Sequence, residues 1–325
     1  MSPEYAMVSV FTLNSMEKRM GKKKNMNLTN CTRVTAFILV GLPRVRGMEG
    51  VMHAGIFVLY LLCLMGNGLI ILSNLSLIDI GHTTVFVPKL LVNYVSAKDS
   101  ICFACCLSQS FFYFLFGITE FFIITLISLD RYIAICHPLR YATIMTPGVC
   151  LKLAIASWFG GFFCLLYSTM KLPNLPFCPS NIINHFFCDA GPLLKVAGGY
   201  IQVIEALVFL ITVFVIMSSL LFTLISYLFI ISTILRIPSS SRQQRAFSTC
   251  ASHLIVVTIL YSSVFFVYLR PTVKSSSFSK MKSVSLVSAI VVPVLNPFIY
   301  TIRNHEVKEA VWKALRKETP GFPKI

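Results

Sequence analysis

The chain has 325 residues, 56% of them hydrophobic and only 12% charged, with a mean hydropathy of +0.78. Soluble domains average about 25% charged residues, so this composition could not clothe two water-soluble domains. The net charge of +16 lies between apolar runs rather than in one dense stripe, which argues against a nucleic-acid binder and for a membrane protein facing anionic lipid.

Residues 1–50 read as a tail, its first 25 residues disordered and basic through Lys18, Arg19, Lys22, Lys23 and Lys24. Asn27-Leu28-Thr29 and Asn30-Cys31-Thr32 are glycosylation sequons, and two in tandem before the first span favour an extracellular N-terminus. A spanning helix needs about 20 apolar residues to cross about 30 Å of hydrocarbon. Six runs meet that test: Val51–Leu72, Ile101–Ile127, Val149–Met170, Tyr200–Leu235, Phe247–Leu269 and Ser283–Ile302. A seventh, Asn74–Val95, is weaker because it contains Asp79, His82, Pro88 and Lys89. Val51–Leu72 is too long for a cleaved signal peptide and starts too far into the chain. A seven-helix domain over residues 51–302 leaves no soluble domain, no phosphate-binding loop and no Cys/His spacing suited to zinc.

Over residues 303–325, Val307, Ala310, Val311, Ala314 and Leu315 recur at helical spacing, with Lys308, Lys313, Arg316 and Lys317 opposite. That pattern describes an amphipathic helix lying on the cytoplasmic leaflet. The distribution of positive charge supports this orientation only weakly. The cytoplasmic side carries twelve Lys/Arg against eight in the outer loops, while the tail adds eight more outside. A start of translation at Met26 would remove most of the tail charge.

The most specific string is Asp130-Arg131-Tyr132-Ile133-Ala134-Ile135-Cys136-His137-Pro138-Leu139-Arg140-Tyr141, at the end of the third strong run. By itself an Asp–Arg pair at a bilayer boundary only neutralises itself and snorkels. Further strings follow: Ser226-Tyr227, then Arg245-Ala246-Phe247-Ser248-Thr249-Cys250-Ala251-Ser252-His253-Leu254, and finally Pro293-Val294-Leu295-Asn296-Pro297-Phe298-Ile299-Tyr300. Together with Leu75-Ser76-Leu77-Ile78-Asp79 and Pro88-Lys89, this order resembles the olfactory receptors, a branch of the rhodopsin-like G-protein-coupled receptors. Ile127-Ser128-Leu129 departs from the family's usual Met-Ala-Tyr.

The resemblance implies an all-α membrane fold, a seven-transmembrane helix bundle with a short amphipathic C-terminal helix. It implies an odorant-binding receptor in the plasma membrane that signals through a stimulatory, olfactory-type heterotrimeric G protein. Asp130, Arg131, Tyr132, Tyr227, Asn296, Pro297 and Tyr300 would carry coupling and activation, with Arg131 released from Asp130 on activation. Asn296-Pro297 would give the seventh helix a hinge. Ionisable groups inside spans are expensive. Asn67, Asp79, Glu120 and Asn296 would therefore form a polar cluster able to hold Na⁺ or a proton, or else two protonated, hydrogen-bonded carboxyls. No other cofactor and no metal site are implied.

The ligand cavity implied by the resemblance lies between the outer ends of spans three, five and six. Helical spacing selects Tyr113, Phe114, Gly117, Ile118 and Phe121, with Ile211 and Val215, and then Tyr261, Val264, Phe265 and Tyr268. The same positions would serve equally as ordinary packing. Together they imply a small apolar or weakly polar odorant with tyrosine hydroxyls as handles, and no carboxylate to anchor an amine. The resemblance also pairs Cys106 with Cys188. Cys178 lacks its usual partner near Gly198, leaving a single loop disulfide, with Cys102 and Cys105 as substitute partners.

One interval departs from the family. Only six residues separate Leu72 from Asp79, where a short inner loop and the first turns of helix two belong, a deficit of about fifteen. A second helix shortened and drawn inward is expected, the chain turning early near Gly66-Asn67-Gly68 or else running on as one long helix. The rival function is a receptor remnant retained in the secretory pathway. A transporter would show internal repeats and matched broken helices, which are absent. An enzyme is not expected, since no His is placed to serve a Ser or Cys nucleophile.

Overall fold

The computed structural model describes residues 34–41, 49–68, 74–96, 99–177, 180–198, 201–268, 282, 285–286, 289–291 and 293–296. The expected tail over 1–25, both sequons, Cys178, Pro297, Tyr300 and the C-terminal amphipathic helix lie outside the described residues.

The long apolar runs become helices α1 (Glu49–Gly68), α2 (Asn74–Ser96), α3 (Phe103–Cys136), α5 (Pro147–Lys171), α7 (Gln202–Leu235) and α8 (Ser240–Tyr268). The short helices α4 (Pro138–Ile144) and α6 (Ala190–Val196) lie in the connections. Residues 282, 285–286, 289–291 and 293–296 are helical and form the described part of the seventh helix. Five of the described helices are long and apolar enough to cross a membrane: α2, α3, α5, α7 and α8. In α1 the apolar stretch, Gly50–Met65, is shorter.

Proline sets two helix starts. Pro138 opens α4, and Pro147 opens α5 behind Thr146, whose hydroxyl accepts from the Val149 N–H at 3.4 Å. Helix α3 extends nine residues past the expected Ile127, because the Asp130–Cys136 string continues it to His137.

Burial is inverted relative to a water-soluble protein. Phe159, Phe163, Phe209, Phe214, Leu228 and Phe229 are exposed, while Asn67, Asp79, Glu120 and Asn296 are buried. A bundle whose apolar side chains face outward and whose polar groups face inward is built for lipid. Helix α3 is the hub, packed against α2, α5 and α7. The α3–α7 seam is laced by hydroxyls: Thr125 with Ser219 (2.8 Å), Ser128 with Thr223 (3.2 Å), and Cys136 with Thr233 (3.2 Å). Helix α5 reaches α3 through Gly161, where an added Cβ would lie 2.6 Å from Thr119 Oγ1.

Helices α1 and α2 form an antiparallel hairpin. Tyr60 meets Thr84 at 3.2 Å, Cys63 meets Thr83 at 3.6 Å, and the His53 and Tyr94 rings lie 6.3 Å apart. Their antiparallel course excludes one continuous helix, while Gly66-Asn67-Gly68 are helical, so the expected turn does not fall there; the join over 69–73 lies outside the described residues. Helix α2 has 23 residues, about 34 Å, and its first residue lies five before Asp79.

A small sheet was not foreseen. β1 (Ala36–Leu39) pairs antiparallel with β2 (Ser100–Cys102) and parallel with β3 (Ile182–Ile183). The expected tail over residues 1–50 is thus ordered from 34 to 41, because Phe37 and Leu39 are fully buried beside Phe103 and Phe177. Cys106 is bonded to Cys188, as expected. Cys102 is bonded to Cys105, so neither substitutes as a partner of Cys178, and two disulfides rather than one occur among the described residues. A separation of three positions at the start of α3 brings the Cys102 and Cys105 Cα atoms within 5.1 Å.

Candidate functional site

At the sheet end of the bundle, α3, α5, α7, α8 and the seventh helix enclose a cavity of about 330 Å³. Tyr113, Phe114, Gly117, Ile118 and Phe121 line it from α3, Ile211 and Val215 from α7, and Val264 from α8. Two expected residues stay out of it. Tyr261 is buried beneath, its hydroxyl 2.6 Å from Ser219 Oγ and its ring 5.5 Å from that of Phe121. Phe265 packs into the α3–α7–α8 cluster instead. The side chain of Tyr268 lies outside the described residues. Of the expected tyrosines whose side chains are described, Tyr113 lines the wall and Tyr261 does not.

The polar handles come from elsewhere: Ser168 and Thr169 on α5, Thr212 on α7, Ser263 on α8, and His82 and Glu120 toward α2. The expectation of a carboxylate-free wall is corrected here. Glu120 lies seven residues after Tyr113 and three after Gly117, so the helical period that selected the α3 stripe also contains it. No such signal marks α5, whose apolar residues surround the helix and hide which side faces inward.

A plug covers the sheet end of the bundle. Cys188 holds the loop to α3, and the Cys188 N–H donates to Gln109 Oε1 at 3.0 Å, while Gln109 Nε2 donates to the Val85 carbonyl. The Phe187 ring lies 4.3 Å from that of Tyr113, tilted by 38°, and Phe186, His185 and Phe187 are buried together. Lys282 Nζ donates to the Val40 and Gly41 carbonyls at 2.7 and 3.2 Å, tying β1's exit to the seventh helix. Burial, with Lys282 nearby, lowers His185 to about 3. Burial raises Asp189 to about 6, against hydrogen bonds from neighbouring backbone N–H groups and the charge of Lys195.

Mid-bundle, Asn296 Nδ2 donates to both carboxylate oxygens of Asp79, at 3.1 and 3.0 Å. Asn67 Nδ2 donates to the Pro293 carbonyl at 3.0 Å, joining α1 to the seventh helix. Three members of the expected polar cluster are therefore held together across α1, α2 and the seventh helix. Glu120 faces the cavity beside them.

At the opposite end, Arg131 Nε lies 3.5 Å from Asp130 Oδ2, and the Tyr141 hydroxyl donates to Asp130 Oδ1 at 2.8 Å. That hydrogen bond is the main cause raising the Tyr141 phenol above its usual range. Tyr132 and His137 meet at 3.3 Å. Tyr227 is buried and bonds His253 Nδ1 of α8 at 2.8 Å, the two rings stacked. His253 was not singled out beforehand, although it lies within the Arg245–Leu254 string.

The chain as a whole is similar to known proteins. The olfactory receptor family model matches residues 63–318. The chain belongs to the olfactory receptor family. It is 49% identical over 313 residues to human olfactory receptor 6X1, covering 91% of this chain and 100% of that relative. It is 42% identical over 304 residues to human olfactory receptor 6S1, covering 88% and 92%, and 42% identical over 296 residues to rat olfactory receptor 287, covering 86% and 95%. An olfactory receptor is a multi-pass, G-protein-coupled membrane protein and not an enzyme. Since 91% of 325 residues is about 296, about 17 of the 313 positions matched to 6X1 have no counterpart here. That shortfall has the size of the deficit expected between Leu72 and Asp79.

Proposed function

We propose that this olfactory receptor binds a small, largely apolar odorant in the cavity between α3, α5, α7 and α8, and couples to a stimulatory, olfactory-type G protein at the Asp130–Arg131 end. The observation that supports this most is the separation of the two sites along one helix. Ile118 on the cavity wall and Arg131 at the other end lie thirteen residues apart on α3, about 20 Å. The Asp130–Arg131 pair, reinforced by Tyr141, represents the resting arrangement, and activation frees the guanidinium for the G protein. The reading carries with it residence in the plasma membrane, an extracellular N-terminus and glycosylation at Asn27 and Asn30. Asp79 with Asn296, and Glu120 beside them, would bias the inactive state by holding a proton or Na⁺.

The test is the cyclic-AMP response of cells expressing the chain to an odorant panel, alongside Arg131→Ala and Ile118→Trp. Arg131→Ala should abolish the response with odorant binding retained, and Ile118→Trp should remove both. A response untouched by Arg131→Ala would refute the coupling role.

The short join before α2 favours one second reading, a receptor remnant retained in the secretory pathway. Surface labelling of a tagged chain separates the two, because the remnant would stay inside the cell.

A further inference from the structure

A second space lies between α2 and α3 at the sheet end. It is an open groove of about 430 Å³, lined by Val85 and Lys89 of α2, Cys102 of β2, and Cys105, Ser108 and Phe112 of α3. Ser108 and Phe112 also line the odorant cavity, so the two spaces share a stretch of α3. The Cys102–Cys105 disulfide forms part of the groove wall, and both of its residues are exposed. The neighbouring Cys106–Cys188 bridge is different, being 0% exposed at both ends.

The exposed bridge adds little to the fold. It joins positions only three apart, which removes little chain entropy. Its ends are already held by other bonds: Cys102 pairs with Ala36 of β1, and the Phe103 N–H donates to the Thr35 carbonyl at 2.9 Å. Its two sulfurs are also unequal. Cys102 is the N-cap of α3, and its Sγ accepts the Cys105 N–H at 3.0 Å. A thiolate on Cys102 would keep that hydrogen bond and face the positive end of the helix. Disulfide exchange is faster when the expelled sulfur is the more stable thiolate. Lys89 Nζ donates to the Ser100 carbonyl at 2.7 Å, two residues before Cys102. Among the described residues, Lys89 is the charged side chain lining the groove.

We propose that this groove captures small anionic thiols as a reversible mixed disulfide. The ligand thiolate attacks Cys105 Sγ, and the bond from Cys105 to Cys102 breaks. The electron pair of that bond leaves on Cys102 Sγ as a thiolate, so the step consumes no separate oxidant or reductant. Lys89 attracts the negative group of the ligand. For release, the Cys102 thiolate, kept in place by β1 and the helix cap, attacks Cys105 Sγ and expels the ligand. This covalent site stands apart from the odorant reading.

The experiment uses the full chain in phosphatidylcholine nanodiscs, with 2-mercaptoethanesulfonate as the anionic probe and 2-mercaptoethanol as the neutral one. Both are supplied at equal thiolate concentration, exchange is stopped with N-ethylmaleimide, and attachment is read by peptide mass mapping. The sulfonate should be found on Cys105 and the maleimide on Cys102, with Cys106–Cys188 intact. At low salt it should react about threefold faster than the alcohol, the scale of one exposed charge. Lys89→Met should bring the two rates together, and Lys89→Arg should keep them apart. Transfer to thiol-free buffer before the maleimide should release the probe and restore the bridge. A probe found on neither cysteine, or found on Cys102 with the maleimide on Cys105, overturns the proposal. So does opening of Cys106–Cys188 at the same rate, or a preference for the sulfonate that is absent or unmoved by Lys89→Met. Should Lys89→Met fail to fold, the attachment site and the rate ratio in the wild type decide.

Discussion

Tyr261 illustrates how a residue on the right helix face serves the site without touching it. Its hydroxyl meets Ser219 Oγ, which itself bonds the Phe121 carbonyl and Thr125, so the group braces the cavity floor across three helices. Tyr261→Phe should cost about 1 kcal/mol of stability, the net worth of one buried hydrogen bond. Thermal unfolding would register that loss, while titration calorimetry with butylbenzene should show affinity within about twofold of wild type, since this variant alters the wall only through Ser219. The plug residues make a sharper prediction through pH. His185 is lowered by burial from 6.5 to about 3, so its contribution is present above 6.5 and is lost as pH falls toward 3. Asp189 is raised by burial from 3.8 to about 6, so its contribution is present below 3.8 and is lost as pH rises through about 6. Between about pH 4 and 6 the two slopes oppose each other. Hydrogen exchange at residues 182–188 should therefore show protection that rises with pH in Asp189→Asn and falls with pH in His185→Phe. Slopes of the same sign in both variants would contradict these assignments.

Helices were legible because lipid imposes a run of about 20 apolar residues on each. The ligand stripe on α3 was legible for a second reason, since the 3.6-residue period places Tyr113, Gly117 and Phe121 on one face whatever surrounds them. Strand β1 was not, because its partners lie about 65 and 145 positions away and a four-residue segment has no period to read. The cavity wall from α5 escaped for a different reason. Ser168 and Thr169 stand among residues that are apolar on every side, and in a membrane the lipid-facing side is as hydrophobic as the buried one. Small residues do mark the packed face. A Cβ added at Gly161 would sit 2.6 Å from Thr119 Oγ1 and 3.3 Å from Leu115 Cδ1. Gly161→Val should push α5 off α3 and destabilise the bundle by about 1–3 kcal/mol, the range for overpacking. The same change at Gly148, which has nothing within 4 Å of an added Cβ, should cost less, and unfolding of the two variants in nanodiscs compares them directly.

At the scale of the whole molecule the short join between α1 and α2 makes a testable prediction about coupling. The described contacts of the two helices are in place: Asn67 reaches the Pro293 carbonyl, Cys63 and Tyr60 meet Thr83 and Thr84, and Asp79 has its Asn296 partner. On α1 these contacts run from Tyr60 to Asn67, one residue before the helix ends. The deficit falls toward the Asp130–Arg131 end of the bundle. Leu75, in the first turn of α2, packs in one cluster with Ile123 and Ile127, and Ile127 precedes Asp130 by three residues, about 4.5 Å. Helix α2 thus begins about one turn short of the level where Arg131 must meet the G protein. Inserting about fifteen residues after Leu72 should lengthen the hairpin toward that level. The prediction is an odorant affinity within about twofold of the parent chain, with a larger maximal cyclic-AMP response at equal surface labelling. Equal maxima in the two chains would show that the recess is harmless to coupling. A parent chain absent from the surface, and rescued to it by the insertion, would place the defect in folding and make the remnant reading the correct one.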